Sequence, residues 1–165
     1  MGLQLSSAAL AIRVVSGAVL AGLTFLVFYY VPANLSSLLS PYLPSSYAAA
    51  VSSVAAALIG STLPILGLVL TVLVFLEVVL RGSRPYGIIL ILTGLLFAAY
   101  TYTIMQGGTI AIKLSGNLPQ GASGNIDVGV SLMMLVLLIP SLLTVVKGAL
   151  LLGSSSREGK GQPAA

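Results

Sequence analysis

The chain has 165 residues, of which 58% are hydrophobic and only 6% are charged, with a formal net charge of +4. A soluble domain carries about a quarter charged residues because its surface faces water, so this composition excludes an ordinary soluble fold and indicates a protein embedded in lipid. Cysteine and histidine are both absent, which excludes thiolate chemistry and the commonest general base.

The first apolar run covers residues 14–31, between Arg13 and Pro32. A spanning helix needs about 20 mostly apolar residues, so this run is long enough to cross a bilayer. It is longer than the roughly 7–15 apolar residues of a signal peptide, and it ends in bulky aromatic residues. We therefore expect a retained membrane anchor rather than a cleaved signal.

The second apolar run covers residues 47–80 and contains one charged residue, Glu77. At about 1.5 Å per residue, one helix of this length is too long for an upright span. Two short spans could turn between Gly60 and Pro64. Alternatively, one overlong helix is kinked at Pro64 and its first turns stand outside the bilayer.

The distribution of basic residues decides between these alternatives, because short loops rich in lysine and arginine stay in the cytoplasm. A single span over residues 47–80 places most of the cations on one side, and only Lys113 falls outside with Asp127. The cations on the inner side are Arg13, Arg81, Arg84, Lys147, Arg157 and Lys160. We therefore predict four spans, with both termini in the cytoplasm and the plasma membrane as the location.

The remaining spans are predicted over residues 87–105 and 128–152, the last of which contains Pro140. In the loop between them, apolar and polar residues alternate around residues 109–115 and 126–130, which favours a small β-hairpin. An irregular loop is the alternative. The fold class is therefore an all-α integral membrane protein, a four-helix bundle. Residues 1–152 form one domain, and residues 153–165 have the composition of a disordered cytoplasmic tail.

Four charged side chains are expected at the inner ends of the helices: Glu77, Arg81, Arg13 and Lys147. Glu77 and Arg81 are four residues apart on one helix, so they share a face and can pair. An acid deep in a membrane is a functional candidate, whereas ion pairing near the surface removes much of its cost. We interpret Glu77 as a structural partner of the basic ring, with a transport or gating role as the alternative.

Small residues recur at four-residue spacing, which lets another helix approach closely. One predicted packing face is formed by Ala48, Ser52, Ala56 and Gly60, and two others lie on the first span, Gly17 with Ala21 and Ala18 with Gly22. These faces would join helices of one molecule or dock a partner. The expected helix kinks are at Pro64 and Pro140, because proline lacks a backbone N–H.

These features favour a non-catalytic structural or accessory subunit of a larger membrane assembly, such as a respiratory or secretion complex. A small oligomeric channel or carrier for an ion or solute is the alternative. A membrane enzyme is disfavoured, because the chain lacks histidine, cysteine and any pair of membrane-embedded acids. We expect no cofactor, metal or nucleic acid, and we expect membrane lipids and other subunits, or copies of the chain, as partners.

Overall fold

The computed structural model describes residues 7–42, 55, 59–60, 62–83, 85–114 and 124–158. Within these residues the chain is mostly helical, and four helices are long and apolar enough to cross a membrane. They cover Ser7–Ala33, Thr62–Val79, Tyr86–Ile104 and Ser131–Ser154. Most of their large apolar side chains are exposed, as expected where lipid rather than water covers them. The chain is therefore a multi-pass membrane protein.

The first span consists of helix α1 (Ser7–Phe25), a π-helical turn (Leu26–Tyr30) and helix α2 (Val31–Ala33). Pro32 explains why the helix changes geometry, since it cannot donate the i→i−4 hydrogen bond to the carbonyl of Phe28. Single π-helical turns inside α-helices commonly adjust the backbone in this way. A short helix α3 (Leu35–Leu39) and a 3₁₀ turn (Ser40–Tyr42) follow.

The second span is helix α4 (Thr62–Val79). Ala55 and Ile59 are helical, but Gly60 has a φ of 51°, a left-handed conformation that ends a right-handed helix. The expected single helix over residues 47–80 is therefore interrupted at Gly60. Pro64 lies in the first turn of α4, where its missing N–H has no helical partner to lose. The run expected over residues 47–80 is therefore interrupted at Gly60, before Pro64.

The third and fourth spans are helices α5 (Tyr86–Ile104) and α6 (Ser131–Glu158). Pro140 lies inside α6, and the Thr144 hydroxyl donates to its carbonyl at 2.8 Å. Helix α6 continues beyond residue 152, so the first part of the expected disordered tail is helical. No helix-breaking residue occurs between Ser154 and Glu158, so a helix already formed in the span can propagate through them.

Glycines bring α5 and α6 into close contact. A Cβ atom added to Gly148 would lie 2.7 Å from the Gly87 carbonyl oxygen, and one added to Gly94 would lie 2.8 Å from the Ser141 carbonyl oxygen. Gly87 and Gly94 are seven residues apart, as are Ser141 and Gly148. A repeat of seven keeps small residues along one seam between two helices. We call these four residues the α5–α6 seam.

Two strands lie between α5 and α6, after a 3₁₀ turn (Gln106–Gly108). Strand β1 (Thr109–Leu114) pairs antiparallel with β2 (Gly124–Gly129), and the register places Ile110 opposite Val128. The residues between the strands lie outside the described part of the chain. The Gly108 carbonyl accepts hydrogen bonds from the Val130 N–H and the Ser131 hydroxyl. These bonds fix the start of α6 beside the end of α5.

The four spans pack in chain order, with α1 on α4, α4 on α5 and α5 on α6. Helices α1 and α6 form no extensive contact in the described structure. The largest fully buried side chains in the described structure are Leu63, Leu70 and Leu90, which belong to α4 and α5. The core therefore centres on the two middle spans.

Candidate functional site

The four charged residues singled out in the sequence lie at one end of the bundle, which we call the basic end. Arg13 donates from its guanidinium Nη1 to the backbone carbonyl of Arg81, just after the end of α4. The last carbonyls of a helix lack intrahelical partners, and a cation beside them is favourable. Arg13 thus joins the start of the first span to the end of the second.

Glu77 is half-buried in α4 and faces the bundle together with Lys147 of α6. The sequence spacing emphasised Arg81, which is four residues away on the same helix. The fold also brings a lysine of another helix to the cavity that Glu77 lines.

A cavity of about 270 Å³ extends from Glu77 and Lys147 into the bundle. Helices α1 and α6 both contribute to its wall, and they form no extensive contact with each other in the described structure. Residues of all four spans line it: Thr24, Phe28, Leu70, Val74, Glu77, Leu90, Thr93, Gly94, Phe97, Pro140, Ser141, Thr144 and Lys147. The wall of the cavity is thus mainly apolar, and it includes one acidic residue, one basic residue and four hydroxyl-bearing residues.

Three of these hydroxyls are already hydrogen-bonded within their own helices. Thr24 donates to the Leu20 carbonyl at 2.8 Å, and Thr93 donates to the Ile89 carbonyl at 2.9 Å. Thr144 bonds in the same way, as described above. The Ser141 hydroxyl is buried and has no hydrogen-bond partner in the described structure. The threonines therefore add little polarity to the cavity, and its strongly polar groups are Glu77 and Lys147.

Phe28 closes the cavity toward the other end of the bundle. Its ring contacts the rings of Phe97 and Tyr100 edge-on, with centroid distances of 5.6 and 5.1 Å. The Tyr100 hydroxyl donates to the Phe28 carbonyl at 3.3 Å. A Cβ atom added to Gly67 would lie 2.0 Å from the same carbonyl oxygen. The π-helical turn thus rests directly on α4 and α5.

The two small-residue faces predicted on the first span have different environments. Gly17 is buried, and a Cβ atom added to it would lie 3.3 Å from the Phe75 ring of α4, so this face packs inside the bundle. Ala21 beside it is half-buried. Ala18 and Gly22 are exposed, and a Cβ atom added to Gly22 would meet nothing within 4 Å. We call Ala18 and Gly22 the open face.

The other predicted packing residues are only partly described. Ala48, Ser52 and Ala56 lie outside the described residues, while Gly60 is exposed at the break before α4. Sequence reasoning missed Thr24, Thr93, Gly67 and the α5–α6 seam. The seven-residue spacing was the available signal for the seam, but nothing local marks Gly67 as the contact of Phe28.

Within the described residues, no group of three or more histidine, cysteine, aspartate or glutamate residues is arranged to hold a metal ion. The residues that line the cavity offer charged groups, hydroxyl groups and apolar contact. A comparison with protein-family models, with curated proteins and with solved structures finds no match.

Proposed function

We propose that this chain is a non-catalytic subunit of a larger membrane assembly, and that its first span docks another membrane helix through the open face. The observation that carries the proposal is the difference between the two small-residue faces of α1. Gly17 is covered by Phe75 of the same molecule, whereas Gly22 has open space where a side chain would be.

Helix packing in a bilayer explains why this difference supports docking. Lipid tails are as apolar as the side chains, so membrane helices associate mainly by close packing and hydrogen bonding. Small residues four apart let two backbones approach, and a glycine without such a neighbour only weakens its helix. Ala18 and Gly22 have this spacing and are unoccupied within the described structure. A second helix packed against this face would explain why a glycine is present at position 22.

Residue chemistry supports a structural rather than a catalytic part in such an assembly. The whole chain has no histidine, no cysteine and only three acidic residues. A partner subunit would then carry out any reaction, and this chain would hold that partner in place. The partner is either a different membrane subunit or a second copy of this chain.

Gly22→Leu should dissociate the native assembly, because the added side chain occupies the space into which the partner helix would pack. We expect at least a tenfold loss of the assembled form, on the scale of about 1–2 kcal/mol for a lost membrane-helix contact. The measurement is the size distribution of the protein after mild detergent extraction from its native membrane. If the contact joins two copies of this chain, Gly22→Leu should also abolish cross-linking between differently tagged chains.

Gly153→Leu is the matched control. Gly153 is an exposed glycine of α6, and a Cβ atom added to it likewise meets nothing within 4 Å. The control should leave the assembly intact while adding the same side chain to a membrane helix. Equal assembly of wild type and Gly22→Leu would refute docking through α1.

A small channel or carrier is the second candidate, and the cavity favours it. Glu77 and Lys147 would contact a solute that enters the bundle, and the hydroxyl-bearing residues would line part of its path. This candidate requires flux across liposomes that contain the purified chain alone, and a change in that flux with Glu77→Gln. A structural subunit would give no flux above protein-free liposomes.

We further propose that both termini face the cytoplasm of a plasma membrane. The position of Arg13, Arg81 and Lys147 at one end of the bundle supports this orientation through the positive-inside rule. Because the chain has no cysteine, single-cysteine variants report sidedness cleanly. In intact cells, an impermeant thiol reagent should label Tyr42→Cys but should reach Gly153→Cys only after lysis. Labelling of Gly153→Cys from outside would reverse the topology.

A further inference from the structure

Three properties of the cavity at the basic end together restrict the kind of ligand that it can bind. Its wall is mainly apolar, its two strongly polar groups carry opposite charges, and the wall includes α1 and α6, which form no extensive contact with each other in the described structure. A gap between these two helices would open toward the sides of the bundle, which lipid covers. A ligand dissolved in the bilayer would therefore enter sideways, without crossing an aqueous phase.

The charges on the cavity wall restrict the chemistry of the part that binds there. An anion would be attracted to Lys147 but repelled by Glu77, and a cation would meet the reverse problem. An uncharged group that both donates and accepts hydrogen bonds satisfies the two residues together, because it can donate to the carboxylate and accept from the ammonium group. Carboxamide and alcohol groups have this property.

The apolar wall and the volume restrict the rest of the molecule. Phe28, Leu70, Leu90 and Phe97 offer hydrocarbon contacts, and the threonine hydroxyls are bonded to their own helices. The volume of about 270 Å³ is slightly below the roughly 300–1,000 Å³ of pockets that enclose a drug-sized ligand. The cavity therefore holds a polar head and the first part of a chain, and the remaining chain would extend between α1 and α6.

We propose that this cavity binds the head of an uncharged, single-chain amphiphile that donates and accepts hydrogen bonds and is taken up from the bilayer. Glu77 accepts from the head, Lys147 donates to it, and Phe28 and Phe97 contact the adjoining chain. This site goes beyond the proposed docking function and does not depend on it, because it lies inside a single chain.

The test compares three ligands with one chain length and different heads: dodecanamide, dodecanoate and dodecylammonium. The purified chain is placed in phosphatidylcholine nanodiscs with a diazirine-bearing analogue of dodecanamide, and each ligand competes against photolabelling. At about pH 8 the carboxylate and the ammonium heads are both ionised, so the series separates charge from chain length. Dodecanamide should compete best, with labels on residues of the cavity wall.

Charge-neutralising variants sharpen the test, because each one removes the group that repels one of the charged ligands. Glu77→Gln should improve competition by dodecanoate by about tenfold, and Lys147→Gln should do the same for dodecylammonium. Each variant tests the proposal separately, so a folding defect in one of them leaves the other informative. Asp127→Asn is the matched control, because Asp127 is an exposed acid on β2 and does not line the cavity.

Three results would overturn the proposal. Equal competition by all three ligands would mean that the chain only partitions into apolar surface. Labels spread over the outward-facing residues of α1 and α6 would place the amphiphile outside the cavity. Unchanged ligand preference in both Glu77→Gln and Lys147→Gln would remove these residues from recognition. None of these results affects docking through Gly22, which is measured by assembly size.

Discussion

Gly67→Ala should lower the free energy of unfolding more than Gly148→Ala or Gly153→Ala does. The added Cβ atom would lie 2.0 Å from the Phe28 carbonyl oxygen and 2.5 Å from the carbonyl carbon. Both are backbone atoms, so the clash cannot be relieved by rotating a side chain. We expect a loss of at least about 3 kcal/mol in the free energy of unfolding, at the upper end of overpacking effects.

The measurement is helix content during titration with sodium dodecyl sulfate, starting from protein in mild detergent. Gly67→Ala should shift the unfolding midpoint to a clearly lower fraction of the denaturing detergent. Tyr100→Phe should shift it less, because that variant loses only the hydrogen bond to the Phe28 carbonyl, about 1 kcal/mol. A wild-type midpoint for Gly67→Ala would mean that the π-helical turn does not rest on α4.

Gly148→Ala should separate α5 from α6 and have the second largest effect. Its Cβ atom would lie 2.7 Å from the Gly87 carbonyl oxygen and 3.0 Å from the Ile91 backbone nitrogen. The two helices must move apart along the α5–α6 seam, which loosens the packing of both. We expect a loss of about 2 kcal/mol, even after the gain of up to about 1 kcal/mol that alanine brings to a helix over glycine.

Gly153→Ala isolates that helix-propensity gain, because it adds the same methyl group to α6 five residues away and meets nothing within 4 Å. The same titration should show its unfolding midpoint unchanged or slightly raised. A lowered midpoint for Gly148→Ala together with an unchanged one for Gly153→Ala assigns the loss to the seam. Similar midpoints for both variants would contradict close packing of α5 on α6.

These effects bear on function because the same contacts shape the cavity. Gly94 of the seam lines the cavity wall, and Phe28 closes the cavity away from the basic end. A shift of α4 or α6 would therefore change the distance between Glu77 and Lys147 across the bundle. Variants that loosen the seam should weaken amphiphile binding, whereas Gly22→Leu on the outer side of α1 should leave it unchanged.

The membrane location and the four spans could be read from the sequence because they follow from local composition. A run of about 20 apolar residues has no stable place in water, and lipid leaves its backbone no partner except its own helix. The same argument predicted the third span over residues 87–105, close to the observed Tyr86–Ile104. One continuous helix was expected over residues 47–80, but an apolar run does not show that Gly60 adopts the left-handed conformation that interrupts it.

Only the tertiary structure decided which residues meet across the bundle. Spacing along one helix predicted that Glu77 and Arg81 share a face, but it did not show that the fold brings Lys147 of α6 to the cavity that Glu77 lines. Spacing likewise found two small-residue faces on α1, but not that Phe75 covers one and leaves the other open. Helix periodicity fixes which side chains share a face, whereas the neighbour of that face depends on how separate helices pack.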